Sequence, residues 1–156
     1  MIQIIAILFA LILPASASAQ SYDRSFQDWS VFTYKNTCYI GTAPTKQAGN
    51  YSRRGQPYVL VVHRGAKDEV NVSSGYPYKQ GKDVHASVDG NKFQLFTKGE
   101  VGWAYDEATD AAFVGAMKRG SKMRVQGTSG KGTTSDDTYS LIGFTAAYNH
   151  MKSKCR

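Results

Sequence analysis

A chain of 156 residues with 42% hydrophobic residues is long enough for one domain with a single sizeable core. Its formal net charge of +7 favours anionic neighbours such as lipopolysaccharide, wall polymers, acidic glycans or phospholipid headgroups. The two cysteines form no Cys-x-x-Cys, so a thioredoxin-like redox role has no support.

The N-terminus sets the solvent for the rest of the chain. Ile4 to Leu13 is an uninterrupted apolar run, broken by Pro14 and followed by the small-x-small site Ala17-Ser18-Ala19. Such a run spans about 15 Å as a helix, about half of a bilayer core, so it reads as a secretory signal peptide over 1–19 and not as a membrane anchor. Its n-region lacks Lys and Arg, which is atypical, and no Cys follows the small residues to carry a lipid. The expected mature domain is 20–156, periplasmic or secreted after cleavage near Ala19. It has no second apolar run and so no integral membrane segment. Nucleic acid is not an expected partner in an exported compartment. No strand carries the Lys/Arg-Gly-aromatic pattern of base-stacking sheets either.

Most of the remaining sequence alternates with period two. Phe26 to Tyr34 reads as one strand with Trp29, Val31 and Thr33 on one face. Cys38 to Thr42 is a short strand, and the polar stretch Thr45 to Gln56 reads as a loop. Tyr58 to His63 (YVLVVH) is a continuous apolar run, which suggests a central strand packed on both faces or at a sheet core. Glu69 to Ser73 returns after a turn to complete a hairpin. Gly75 to Gly81 is a turn-rich linker. Asp83 to Val88 and Lys92 to Thr97 alternate on either side of Asp89-Gly90, a strong hairpin signal. Val101 to Tyr105 adds a strand.

Between Asp106 and Arg119 the period becomes helical, with Asp106 or Thr109 as cap and Gly120 as a left-handed terminator. Lys122 to Gln126 is again a strand, Gly127 to Asp137 a glycine- and hydroxyl-rich loop, and Thr138 to Ile142 a last strand. Phe144, Ala147, Tyr148, Met151 and Cys155 then share one helical face. Eight or nine strands with two short helices make an antiparallel β-sandwich the natural architecture, with a partly closed barrel as the alternative. An isolated cysteine pair in an oxidising compartment predicts a Cys38–Cys155 disulfide. By the chain-entropy account, closing so long a loop stabilises by roughly 4–5 kcal/mol at most.

An ordered set of short pieces carries a resemblance. The pieces are Asp28-Trp29, Cys38-Tyr39-Ile40, the Tyr58 to Val62 strand, Gly75-Tyr76, Trp103-Ala104 and Ala116-Met117-Lys118-Arg119-Gly120. They continue with Gly127-Thr128-Ser129, Gly132-Thr133, Asp137-Thr138-Tyr139-Ser140-Leu141, Gly143-Phe144 and Cys155. Together they resemble the invasion-associated locus B family of α-proteobacterial exported proteins, over essentially the whole mature chain. The resemblance implies an immunoglobulin-like β-sandwich and, in pathogenic members, an association with host-cell invasion, notably of erythrocytes. An envelope role is the broader implication. The family supplies no catalytic residues to carry over.

The residues offer little chemistry beyond binding. Gly127 to Thr134 has a glycine-rich look, but Gly132 follows Lys131 where a phosphate-binding loop needs Ser or Thr. Ser129 lacks a nucleophile elbow. His63, His85 and His150 have no metal-pair spacing, and Asp106, Glu107 and Asp110 suit a helix start. Trp29 and Trp103 read as core anchors. Tyr51-Ser52-Arg53-Arg54 and Tyr76-Pro77-Tyr78-Lys79 place aromatics beside positive charge in expected loops, a combination that can stack on sugars or partner side chains. With Lys131, the candidate anion- or partner-binding residues are Arg53, Arg54, Tyr76, Tyr78, Lys79 and Lys131. No cofactor or metal is expected. The leading expectation is a non-enzymatic binding or envelope-supporting module acting on an anionic surface or a partner protein. The alternative is an envelope hydrolase using Ser129 with a nearby base.

Overall fold

The computed structural model describes residues 20–155, so the signal peptide expected over 1–19 lies outside the described residues. In chain order the elements are β1 (Ser21–Phe26), β2 (Trp29–Tyr34), β3 (Thr37–Thr42), β4 (Lys46–Gly49), β5 (Tyr58–Arg64) and β6 (Lys67–Ser73). They continue with β7 (Val84–Val88), β8 (Asn91–Lys98), β9 (Val101–Ala104), α1 (Glu107–Arg119), β10 (Lys122–Thr128), β11 (Thr134–Ser140) and α2 (Phe144–Lys154).

The mainly β, antiparallel character and the two helices agree with the sequence reading. The division into two sheets does not. Hydrogen bonds join the strands into one eleven-stranded sheet, ordered β1-β2-β3-β5-β6-β9-β8-β7-β10-β11-β4. This sheet curls back on itself. The indole N–H of Trp29, in β2, donates to the Ser140 carbonyl of β11 at 3.0 Å. The Asp28 N–H meets the Ile142 carbonyl at 3.3 Å. Strands near the two ends of the pairing order thus enclose one core. Alternate residues of each long strand face it: Val59, Val61 and His63 on β5, Val70 and Val72 on β6, Met123 and Val125 on β10.

The helices close that core. The Asp106 carboxylate accepts from the Thr109 N–H at 2.7 Å and starts α1, whose Phe113 stacks on Phe93 at 4.3 Å. Gly120 is extended (φ −88°, ψ 167°), not left-handed. The chain passes straight into β10 there, because the Ser121 N–H is held by Asp89 at 2.7 Å. In α2, Phe144 meets Trp29 edge to face at 4.8 Å. Cys155 beyond it bonds to Cys38 of β3, with Cα atoms 5.9 Å apart.

Three local readings change. The span Phe26–Tyr34 is two strands, because Gln27 adopts φ 53° and turns the chain into a β1–β2 hairpin. The loop Thr45–Gln56 contains β4, which pairs with β11. The Gly127–Asp137 loop is shorter than expected, since β10 runs to Thr128 and β11 begins at Thr134.

Candidate functional site: a basic loop cluster

Three segments far apart in sequence meet at one end of the sheet. The 50–57 segment is tied to the 74–82 segment by the Gly55 N–H, which donates to the Gly75 carbonyl at 2.7 Å. The 74–82 segment is tied in turn to the 127–134 segment. Lys79 N–H donates to the Thr128 carbonyl at 2.9 Å, and Gly130 N–H to the Pro77 carbonyl at 2.9 Å. Tyr78 and Ser129 form an isolated antiparallel bridge. Asn50 completes the ring by accepting from the Thr134 N–H at 2.6 Å.

Gly127 permits this assembly. A Cβ there would lie 2.8 Å from Tyr78 Cε1 and 2.9 Å from Ser74 Oγ, so only glycine lets the tyrosine pack across β10.

The assembly divides the six candidate residues into two groups. Arg53, Lys79 and Lys131 are exposed, one on each segment. Arg54, Tyr76 and Tyr78 are not available to a ligand, which corrects the expectation for them. The Arg54 side chain is only 3% exposed and forms a bidentate pair with Asp137, at 2.7 and 2.5 Å. It also donates to the Ser74 carbonyl and the Gln47 side chain, and its guanidinium sits 4.2 Å from the Tyr51 ring centre. A guanidinium so engaged holds loops together and does not recruit an anion. Tyr76 and Tyr78 are each 7% exposed. Their hydroxyls bond to Ser135 Oγ at 2.6 Å and Ser74 Oγ at 2.9 Å, and burial raises both phenols above their ordinary value. Their aromatic bodies satisfy the core, while the neighbouring Lys79 stays in solvent.

Ser129 is buried beneath the same loops. Its Oγ lies 2.6 Å from Thr133 Oγ1 and accepts from the Thr133 N–H at 3.1 Å. Among the described residues, the side-chain hydrogen bonds of Ser129 reach only Thr133. The histidines are elsewhere. His63 pairs with Asp68 at 2.8 Å, His150 with Asp23 at 2.6 Å, and His85 is exposed on β7. Asp106 is a cap, Glu107 pairs with Lys67, and Asp110 accepts from the Val70 N–H at 2.9 Å. No group of three metal-ligating side chains occurs among the described residues.

The sequence offered no sign of several groups that organise this end and its opposite. Asp137 ends the stretch read as a loop, and Ser74 falls between the strand Glu69 to Ser73 and the Gly75 to Gly81 linker. A second network, in which Asp68 accepts from both His63 and the Tyr148 hydroxyl (2.5 Å), ties β5, β6 and α2 beside the disulfide. Trp103 departs from the core role expected for it. It stands half-buried on the outer side of β9, stacked on Phe96 at 5.7 Å.

Comparison with known proteins agrees with this architecture. The family model described as "Invasion associated locus B (IalB) protein" matches residues 29–152. Among solved structures, the crystal structure of invasion associated protein b from Bartonella henselae is similar, with a TM-score of 0.58 and 17% identity, over 87% of this chain and 97% of that one. At that identity the likeness concerns the fold. No curated protein matches the chain. Among the described residues, no helix is long and apolar enough to cross a membrane.

Proposed function

We propose, from the premise that this chain belongs to the invasion associated locus B (IalB) family, that it is an exported, non-enzymatic binding module of the cell envelope. It acts in the periplasm or after secretion, and engages an anionic envelope or host-surface component, or a partner protein with an acidic face. Contact of this kind is how such a module contributes to host-cell interaction.

The observation that carries this reading is the joining of three cation-bearing loops into one hydrogen-bonded end, with Arg53, Lys79 and Lys131 left free in solvent. Charges on a rigid platform lose little freedom on binding. The buried Arg54–Asp137 pair supports the same reading, because it fixes the platform and leaves the recognition charges on the surface. The formal net charge of +7 adds long-range attraction to anionic surfaces.

The test is binding of the chain from Gln20 onward to heparin, lipopolysaccharide and anionic liposomes at two salt concentrations. Exposed charges are screened over about 10 Å at 0.1 M salt, so binding present at low salt is expected to weaken as salt rises. Absence of binding even at low salt removes the electrostatic reading.

A further inference from the structure

The apolar run Tyr58–His63 places apolar side chains on both faces of its strand. Among the described residues, one face is covered. Val59, Val61 and His63 face the core, while Leu60 and Val62 face outward and remain half-buried. The strand register sets their outward neighbours. Tyr39 of β3 lies opposite Val62 and, on its other side, opposite Phe32 of β2. Phe32 and Tyr39 stack with centroids 5.2 Å apart and planes 15° from parallel. Gly41 lies opposite Leu60. A Cβ at Gly41 would fall 2.5 Å from Leu60 Cδ2, so glycine there lets Leu60 lie flat across β3 and keeps the floor low. The outcome is an apolar groove of about 890 Å³, within the size range of small-molecule sites.

The two ends of the groove differ in charge. Lys35 and Arg64, both exposed, stand at one end with Thr37; Asp28 stands at the other with Ala43 and Pro57. From Thr37 to Ala43 the groove follows β3 for roughly 20 Å, at a strand's rise per residue.

We propose that this groove binds the chain of a single-chain anionic amphiphile of the fatty-acid type, with its head at the Lys35–Arg64 end. The floor between the ends is built mainly from the apolar and aromatic bodies of Phe32, Tyr39, Leu60 and Val62, which suits a hydrocarbon chain. The paired cations attract a carboxylate, and Asp28 repels one at the opposite end, so the ligand enters in one direction. Arg53, Lys79 and Lys131 line no part of the groove, although the 50–57 segment contributes Gln56 and Pro57 to its far end.

The experiment is displacement of the fluorescent fatty acid cis-parinarate from the chain beginning at Gln20. Dodecanoate, dodecanol and dodecyltrimethylammonium serve as competitors, with parallel sedimentation against phospholipid vesicles. The expected result is saturable displacement at one site per chain, with dodecanoate the tightest. Leu60→Glu should abolish binding. Lys35→Glu with Arg64→Glu, on exposed positions that carry no core contact, should weaken dodecanoate about tenfold while changing dodecanol little. Equal affinity for all three head groups would overturn the proposal. So would binding to vesicles without displacement by any single-chain competitor, or a dimer that Leu60→Glu dissolves and that binds no amphiphile.

Discussion

Arg54 and Asp137 lie 83 residues apart in the chain and form a two-pronged ion pair out of contact with solvent. The pair joins the loop before β5 to the middle of β11. Removing one partner leaves the other charge buried and uncompensated, which costs about 3–5 kcal/mol. Asp137→Asn should lower stability by that amount in urea denaturation followed by tryptophan fluorescence. Arg54→Met combined with Asp137→Leu should cost less than the single change, because no charge is then stranded. A single variant as stable as the parent would contradict the structural role given to the pair.

The Cys38–Cys155 disulfide fastens α2 to β3 across 117 residues of chain. Replacing both cysteines by alanine should reduce stability by roughly 2–5 kcal/mol. Thermal melts with and without reductant measure this. Identical melting of oxidised and reduced protein would mean that the bridge contributes nothing.

Asp110 gives a pH prediction of definite sign. Burial under β6 raises its pKa above the ordinary 3.8, against the Val70 N–H bond, which lowers it; the nearby Glu69, Asp106 and Asp68 raise it further. A carboxyl whose folded pKa is raised binds its proton more tightly in the folded state. Its penalty is therefore absent below 3.8 and fully present above the raised value. Asp110→Asn keeps an acceptor for Val70 and removes the charge. It should stabilise the protein near neutral pH, with the gain fading as pH falls toward 3.8. The opposite behaviour is expected of Asp136, which Arg124 holds below its ordinary value: its contribution is present above 3.8 and lost as pH falls below it. Unfolding free energies of the Asp110 variant from pH 3 to pH 7, at about one-unit steps, decide the matter; a gain that does not vary with pH would refute the assignment.

The strands legible in the sequence are those whose apolar pattern and turns agree. β5 with β6, and β7 with β8 around Asp89-Gly90, declare themselves because one face must be apolar and the turn must accept positive φ. Both helices declare themselves by period, and α1 also by its Asp106 cap. The hairpin between β1 and β2 stayed hidden because Gln27, not glycine, takes the left-handed turn. β4 stayed hidden because an edge strand of Lys-Gln-Ala-Gly is held by backbone bonds to β11 and needs no apolar face.

The candidate site was half legible for a related reason. Arg53, Lys79 and Lys131 are ordinary solvated cations, and composition finds those. Arg54 differs from Arg53 only by its distant carboxylate partner, and Tyr76 and Tyr78 differ from surface tyrosines only by Ser135 and Ser74. Long-range pairing of that kind leaves no local signal. A partly closed barrel stood as the alternative to the sandwich, but the strand order was hidden likewise, since pairing across β6-β9 and β7-β10 depends on where chains meet and not on their period.

The three exposed cations of the loop cluster carry the proposed binding. The most direct measurement compares the chain from Gln20 onward with a variant carrying Arg53→Glu, Lys79→Glu and Lys131→Glu, in binding to anionic and zwitterionic liposomes at low and high salt. The expected result is parental binding to anionic liposomes alone, weakened by salt, and loss of that binding in a variant that melts like the parent. Equal binding by parent and variant, or none by the parent at low salt, would contradict it.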